Sequence, residues 1–201
     1  MQIQQRQLLR RFMRHQRAKL PKKQQQRHAQ QLRQHFCQNR LLQTAKHIGV
    51  YLAQAGEINL TPLIKKLWQR QKHCYLPRLH RMPTRQMDFI AYQQNSRLIP
   101  NRFNILEPCN QTQTLAIAKL DVVLIPLVAF DSRGNRLGMG GGYYDYTFRR
   151  YKQRFNRQAP KLIGVAHSFQ QVTHLTAYRW DIPLDAIITE QKIIQRMAHA
   201  H

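Results

Sequence analysis

Apolar positions recur along this chain with two periods, and the change from one to the other divides it. Between Gln2 and Lys19, the residues Leu8, Leu9, Phe12 and Met13 fall at helical spacing among basic residues, which predicts an amphipathic helix ended by Leu20-Pro21. A second, Gln-rich helical stretch is predicted from Lys22 to about Leu42, with Leu32 and Phe36 on one face. Short apolar runs of strand length then take over. "HIGVYLA" reads as a buried strand, "LTPLIKKLWQRQ" as a helix with Thr61 as its cap and Pro62 at its first position, and "HCYLPRL" as the next strand, which makes a βαβ unit. "MDFIAY", "DVVLIPLVAF", "KLIGVAH" and "DAIIT" supply further strands, and "YYDYTFRRYKQRF" supplies a helix before the last two. This alternation predicts an α/β fold with an N-terminal helical pair. Neither a fixed repeat nor a Pro/Ser linker interrupts it, so residues 1–201 are expected to form a single domain.

Charge changes the picture. The 201 residues hold 33 Lys and Arg against 9 Asp and Glu, a formal net charge of +24, so anionic partners are expected. Nucleic acid and anionic metabolites both satisfy that expectation. The three cysteines form no C-x-x-C pair and the ten histidines and two tryptophans show no metal-ligand spacing, which predicts neither a disulfide framework nor a zinc site and fits a reducing cytoplasm. No run reaches the roughly 18 apolar residues needed to span a bilayer, so no membrane partner is expected.

One segment abandons side chains. "RLGMGGGYYD", Arg136 to Asp145, follows an apolar strand and the polar turn "DSRGNR", in which Asp131 and Gly134 suit the first and last positions of a β-turn, and it leads into a helix. A glycine loop at a helix N-terminus lets several N–H groups converge on one anion, phosphate above all; it also makes a tight turn with no ligand. Neither standard fingerprint is present: no Lys-Ser/Thr follows as in a P-loop, and Tyr143 stands where the dinucleotide pattern needs its last glycine. The nine acidic residues are Glu57, Asp88, Glu107, Asp121, Asp131, Asp145, Asp181, Asp185 and Glu190. Magnesium on ATP phosphates takes one or two carboxylates, and Asp145 is best placed, although an acid there also complements a helix dipole. Asp181 reads as a turn or capping residue, and Glu57 as a loop acid or as a ligand contact at the strand edge where α/β folds bind.

Taken together, "LIPLVAFDSRGNRLGMGGGYYD", "GEIN", "LPRL", "FNILEP", "GVAHSFQ" and "WDIPLDAIIT", in this order over nearly the whole chain, resemble the 5-formyltetrahydrofolate cyclo-ligase family, also called methenyltetrahydrofolate synthetase. The resemblance implies three layers, α/β/α, with a mostly parallel central sheet. It also implies conversion of 5-formyltetrahydrofolate and ATP to 5,10-methenyltetrahydrofolate, ADP and phosphate, with Mg2+ as the metal. By resemblance, Arg136, Leu137, Gly138, Met139, Gly140, Gly141, Gly142, Tyr143 and Tyr144 form the ATP loop, joined by Arg6 and Arg10 of the first helix. Met139 to Tyr143 also face the folate, Glu57 and Leu52 meet its pterin, and Asp145 and Asp181 are the metal-linked aspartates. Arg136, Tyr143 and Asp145 are the residues expected to act in catalysis. Tyr146 stands where an arginine often follows "YYD", and Met139 and Gly141 stand in a loop that is basic in some members, which leaves Arg149 or Arg150 to supply charge. A formamide oxygen leaves poorly until phosphorylated, so metal and arginine would neutralise the transferring phosphoryl group while N–H groups align it. The basic faces of the two leading helices read either as solvated surface or as a groove for a polyglutamate tail on the substrate, and a monomeric protein is expected. The rival readings are a basic nucleic-acid-binding module, which leaves the aspartates unexplained, and a family member that has lost activity.

Overall fold

The structure, a computed structural model, describes residues 3–80, 84–109, 114–154 and 160–196, with backbone alone for residues 41, 150 and 152–154. Helix α1 spans Ile3–Ala18 and α2 spans Lys22–Gln38. Asn39 leaves helical geometry at ψ 120, and its side chain accepts from Leu42 N (3.3 Å), starting a separate short helix α3, Arg40–Thr44. The second predicted helix therefore stops early, because an Asn side chain competes with the helical ladder for backbone donors.

Strands β1 (His47–Gly49), β2 (His73–Leu79), β3 (Met87–Tyr92), β6 (Thr114–Leu115), β7 (Val122–Pro126), β10 (Lys161–Val165), β11 (Ala186–Ile188) and β12 (Ile193–Gln195) form one sheet in the order β12-β11-β10-β7-β1-β2-β3-β6. The five from β11 to β2 are parallel, and the antiparallel strands β12, β3 and β6 lie outside them. Two ribbons lie apart from it: β4 (Leu98–Pro100) with β5 (Leu106–Pro108), and β8 (Ala129–Phe130) with β9 (Arg136–Leu137). The run "DVVLIPLVAF" is thus two strands, not one. Beyond Pro126 the chain leaves the sheet, and Val128 N bonds Leu137 O at 2.7 Å instead. "HIGVYLA" likewise keeps only its first three residues in β1.

Helix α4, Thr61–Gln69, joins β1 to β2, and α5, Tyr143–Arg154, joins the β7 side to β10. Leu60, not Thr61, is the residue at the cap of α4, and the Thr61 N–H is met by Asn59 Oδ1 at 2.8 Å. The last residue predicted for α5, Phe155, lies outside the described residues. Alternate residues of the central strand face opposite ways. Val122 and Leu124 pack with Leu32 and Phe36 of α2 and Leu63, Ile64 and Leu67 of α4, whereas Val123 and Ile125 pack with Phe148 of α5. That arrangement is the three-layer α/β/α fold. The two N-terminal helices take different places: α2 covers the sheet, while α1 seats Met13 against Val128, Ala129 and Leu137 beside the β8–β9 ribbon.

The crossover from β1 runs outward to β2 and that from β7 runs outward the other way to β10, although β1 and β7 are neighbours. Such a switch point opens a crevice beyond the carboxyl ends of the two strands. The segment after β1 leads to Glu57, and the segment after β7 leads to the glycine loop.

Candidate active site

Helix α1 brings an unusual face to this crevice. Leu8 and Phe12 of its apolar stripe are 64% and 56% exposed, whereas Arg6 and Arg17 are buried on the face that carries Met13. Positions 6, 10, 13 and 17 recur with the helical period, so one side of the helix presents guanidinium groups inward.

Arg6 donates through both terminal nitrogens to Asp181 Oδ2 (3.2 and 3.1 Å) and lies 4.3 Å over the Tyr178 ring. Arg10 Nε donates to the Gly138 carbonyl at 2.9 Å. Arg136, buried in β9, donates to Asp145 Oδ1 at 2.6 Å and to the Ile182 carbonyl. Ile182 N, in the residue that follows Asp181, in turn donates to Asp145 Oδ1 at 3.0 Å. On each aspartate the hydrogen bonds from described residues fall on a single oxygen, Oδ1 of Asp145 and Oδ2 of Asp181.

Gly140 and Gly142 hold φ of +108° and +70°, backbone that a side chain resists. Gly138 has no such constraint, and a Cβ on it would meet no described atom within 4 Å. Gly141 is confined by the Tyr143 ring, 2.9 Å from where its Cβ would lie. Guanidinium charge reaches the loop from Arg10, 3.9 Å from the Cβ position of Gly140, and from Arg85, 3.6 Å from that of Gly142. Tyr146 is exposed, and the Arg150 side chain lies outside the described atoms.

On the β1 side, Gly56 turns at φ +78°, where a Cβ would come within 2.9 Å of the Arg17 carbonyl. Glu57, its side chain only 9% exposed, lies 3.7 Å from Arg17 and accepts from Gln54 N at 3.0 Å. Burial raises the Glu57 carboxyl above its ordinary range, against the lowering effects of the Gln54 N–H and Arg17. Arg17 also reaches the Leu127 carbonyl (3.4 Å) and the Met139 sulfur (3.9 Å), tying the Glu57 turn to the glycine loop. Burial, with the charge of Glu57, raises the Tyr144 hydroxyl as well, and the Tyr144 ring stacks near Phe148 at 6.3 Å. Leu52 is half-buried against the core on the same side. Tyr143 faces the other rim, where its hydroxyl accepts from Arg102 and its ring meets Phe103 edge-on at 6.0 Å, both from the β4–β5 hairpin.

Arg17, Arg85 and Arg102 escaped the sequence reading. For Arg17 a signal existed, the helical spacing it shares with Arg6, Arg10 and Met13; Arg85 and Arg102 arrive through tertiary contacts alone. Histidines without sequence spacing also converge: His28, His167 and Glu190 place one potential ligand atom each within 4.8 Å of the others, all three buried.

Fold and crevice together define an α/β enzyme of the doubly wound kind, with its cleft at the switch point between β1 and β7. The 5-formyltetrahydrofolate cyclo-ligase family model matches residues 2–190. A 5-formyltetrahydrofolate cyclo-ligase of Haemophilus influenzae is 38% identical over 189 residues, covering 94% of this chain and 99% of the relative, and one of Escherichia coli K12 is 41% identical over 150 residues, covering 74% and 80%. Among solved structures, the 5,10-methenyltetrahydrofolate synthetase of Aquifex aeolicus superposes with a TM-score of 0.78 at 27% identity, covering 98% of this chain and 97% of its own. That of Mycoplasma pneumoniae gives 0.69 at 28%, covering 92% and 98%. The chain belongs to the 5-formyltetrahydrofolate cyclo-ligase family and is an enzyme of that family.

Proposed function

We propose that this chain cyclises 5-formyltetrahydrofolate to 5,10-methenyltetrahydrofolate at the expense of ATP, with Mg2+, releasing ADP and phosphate through a phosphorylated formyl oxygen. The observation that carries the reading is the convergence of three sets of groups: inward-facing arginines of α1, the glycine loop that Arg10 reaches, and two aspartates, Asp145 bonded to Ile182 N and Asp181 the residue before it, each held through one oxygen.

The residues fit a magnesium ion. Asp145 Oδ2 and Asp181 Oδ1 are hard donors free of hydrogen bonds from described residues, and a phosphate-bound Mg2+ needs only one or two carboxylates. When bound, the ion would neutralise charge on the transferring phosphoryl group. The chain's own part is positional. Arg136 and the Ile182 N–H hold Asp145, Arg6 holds Asp181, and the loop from Gly138 to Gly142 would offer its backbone N–H groups to phosphate oxygens. Arg10 and Arg85 bring positive charge to that loop, in the role left open by Tyr146. Glu57, kept beside Arg17 in a largely dry turn, offers an acceptor to the ring N–H groups of a pterin, and Tyr143 and Tyr144 present a ring and a hydroxyl to the formyl end. The attack of N10 on the formyl carbon is intramolecular already, so the crevice's part is to hold ATP against the formyl oxygen, which replaces an encounter between the two substrates.

The nucleic-acid alternative draws support from the charge of +24 but leaves the held aspartates and the buried Glu57 without a task. The three cysteines are free thiols, which supports a reducing compartment such as the cytoplasm, and no helix among the described residues is long and apolar enough to cross a membrane. Absorbance-monitored conversion of 5-formyltetrahydrofolate, with and without magnesium-ATP, tests the proposal. Product is expected only when both are present, and formation of product without ATP would overturn the mechanism.

A further inference from the structure

Beside the Glu57 turn, α2 and the segments after β10 and β11 bring three ligand-type side chains together. His28 Nδ1 lies 2.8 Å from His167 Nδ1 and 4.0 Å from Glu190 Oε2. His167 Nε2 sits 3.0 Å from the Gly56 carbonyl, which can only accept, so the ring proton is on Nε2 and Nδ1 carries a lone pair. Glu190 is pinned by Ser168, whose N–H reaches Oε2 at 2.8 Å and whose hydroxyl donates to Oε1.

We propose that His28 Nδ1, His167 Nδ1 and Glu190 Oε2 form a binding site for a zinc-class divalent cation, distinct from the magnesium site at the glycine loop.

Two features carry this beyond proximity. The first is charge. The Glu190 side chain is 5% exposed, and among the described residues no Lys or Arg lies within ion-pair distance of it; only His28, if protonated, could answer its charge. A buried carboxylate without a fixed counterion is costly, and a cation at this point supplies one. The second is the supporting shell. A metal-bound imidazole is normally oriented by its other ring N–H on a carbonyl, and a ligating carboxylate by further hydrogen bonds; Gly56 and Ser168 do both here. Two imidazoles and one carboxylate suit zinc, cobalt or nickel and not magnesium. Tetrahedral bonds of about 2.1 Å need the two nitrogens about 3.4 Å apart, so the pair opens by about half an ångström, leaving the fourth position for water. The cation would tie α2 to two sheet loops and, through Gly56, to the turn that carries Glu57.

Metal-stripped protein is titrated with Zn2+ by calorimetry and with Co2+ by visible absorption. One equivalent per chain is expected, with the intensified bands of tetrahedral Co2+, unaffected by excess Mg2+. At a hundredfold excess over Kd, Zn2+ should raise Tm by about 5–10 °C. His28→Asn keeps a donor for His167 but is a poor ligand, and it should abolish the saturable site while remaining folded; Glu190→Gln should do the same. Absence of a saturable equivalent in the unaltered protein, or binding unchanged in His28→Asn, would overturn the proposal and leave a hydrogen-bonded pair of histidines.

Discussion

Gly138 isolates the question of why the chain gives up side chains at the loop. Gly140 and Gly142 hold left-handed backbone, so a side chain at either costs about 1–2 kcal/mol before any ligand arrives, and loss of binding there is confounded with strain. Gly138 has no positive φ, and a Cβ on it touches no described atom within 4 Å. Gly138→Ala should therefore stabilise the free protein by about 0.4–1 kcal/mol, through a less flexible unfolded chain. For a chain of this size that raises Tm by about 1–4 °C. If a phosphate presses on this backbone, the same methyl group meets it. Overpacking of about 1–3 kcal/mol translates into a Kd for a non-hydrolysable ATP analogue weakened by about 5-fold to 150-fold. The assay is a melting curve of the free variant beside calorimetric titrations with the analogue plus Mg2+ and, separately, with 5-formyltetrahydrofolate. Folate affinity should hold, because Gly138 precedes Met139 to Tyr143, the stretch expected to face the substrate. A variant with raised Tm and undiminished nucleotide affinity would refute the reasoning and show that the open space at Gly138 is not where phosphate sits.

Asp145→Asn keeps an acceptor for Ile182 N but removes the anion beside buried Arg136, so a loss of about 2–3 kcal/mol in urea unfolding and at least a tenfold fall in kcat are expected; unchanged turnover would reduce Asp145 to a holder of Arg136. Arg17→Met strands Glu57 in its buried turn and should cost about 3 kcal/mol near neutral pH, with much of the loss regained in Arg17→Met/Glu57→Gln and folate affinity lost in both. In Arg17→Met the folded carboxyl titrates above its unfolded value, so the native state holds a proton that the unfolded chain has released. Stability then falls as pH rises through that window and levels off above it, and a pH-independent deficit would exclude this account. Burial pushes the Cys74 thiol up to about 12, so iodoacetamide at pH 8 should modify exposed Cys109 and spare Cys74 until denaturant is added, as peptide mass mapping will read.

Local pattern carried much of this protein. The apolar runs around Ile48, Leu76, Val123, Ile163 and Ile187 declared strands because a buried parallel sheet needs continuous apolar sequence, and the spacing of Leu32 and Phe36 declared the face of α2 that covers it. The glycine loop before α5 and the acids at 57, 145 and 181 were equally legible, since backbone freedom and charge are properties of single residues. Tertiary structure decided the rest. It split "DVVLIPLVAF" after Pro126 because the β9 segment offers Val128 a better partner than the sheet does, and it turned Arg6 and Arg17 inward, against the usual rule for charged residues, because Asp181 and Glu57 wait across the crevice. Arg85, Arg102 and the His28–His167–Glu190 cluster could not be read from spacing, because residues as far apart as His28 and His167, 139 positions, meet only when the fold brings distant segments together. Pairing of charges and convergence of ligands are sums over distant residues, and no window of sequence contains them.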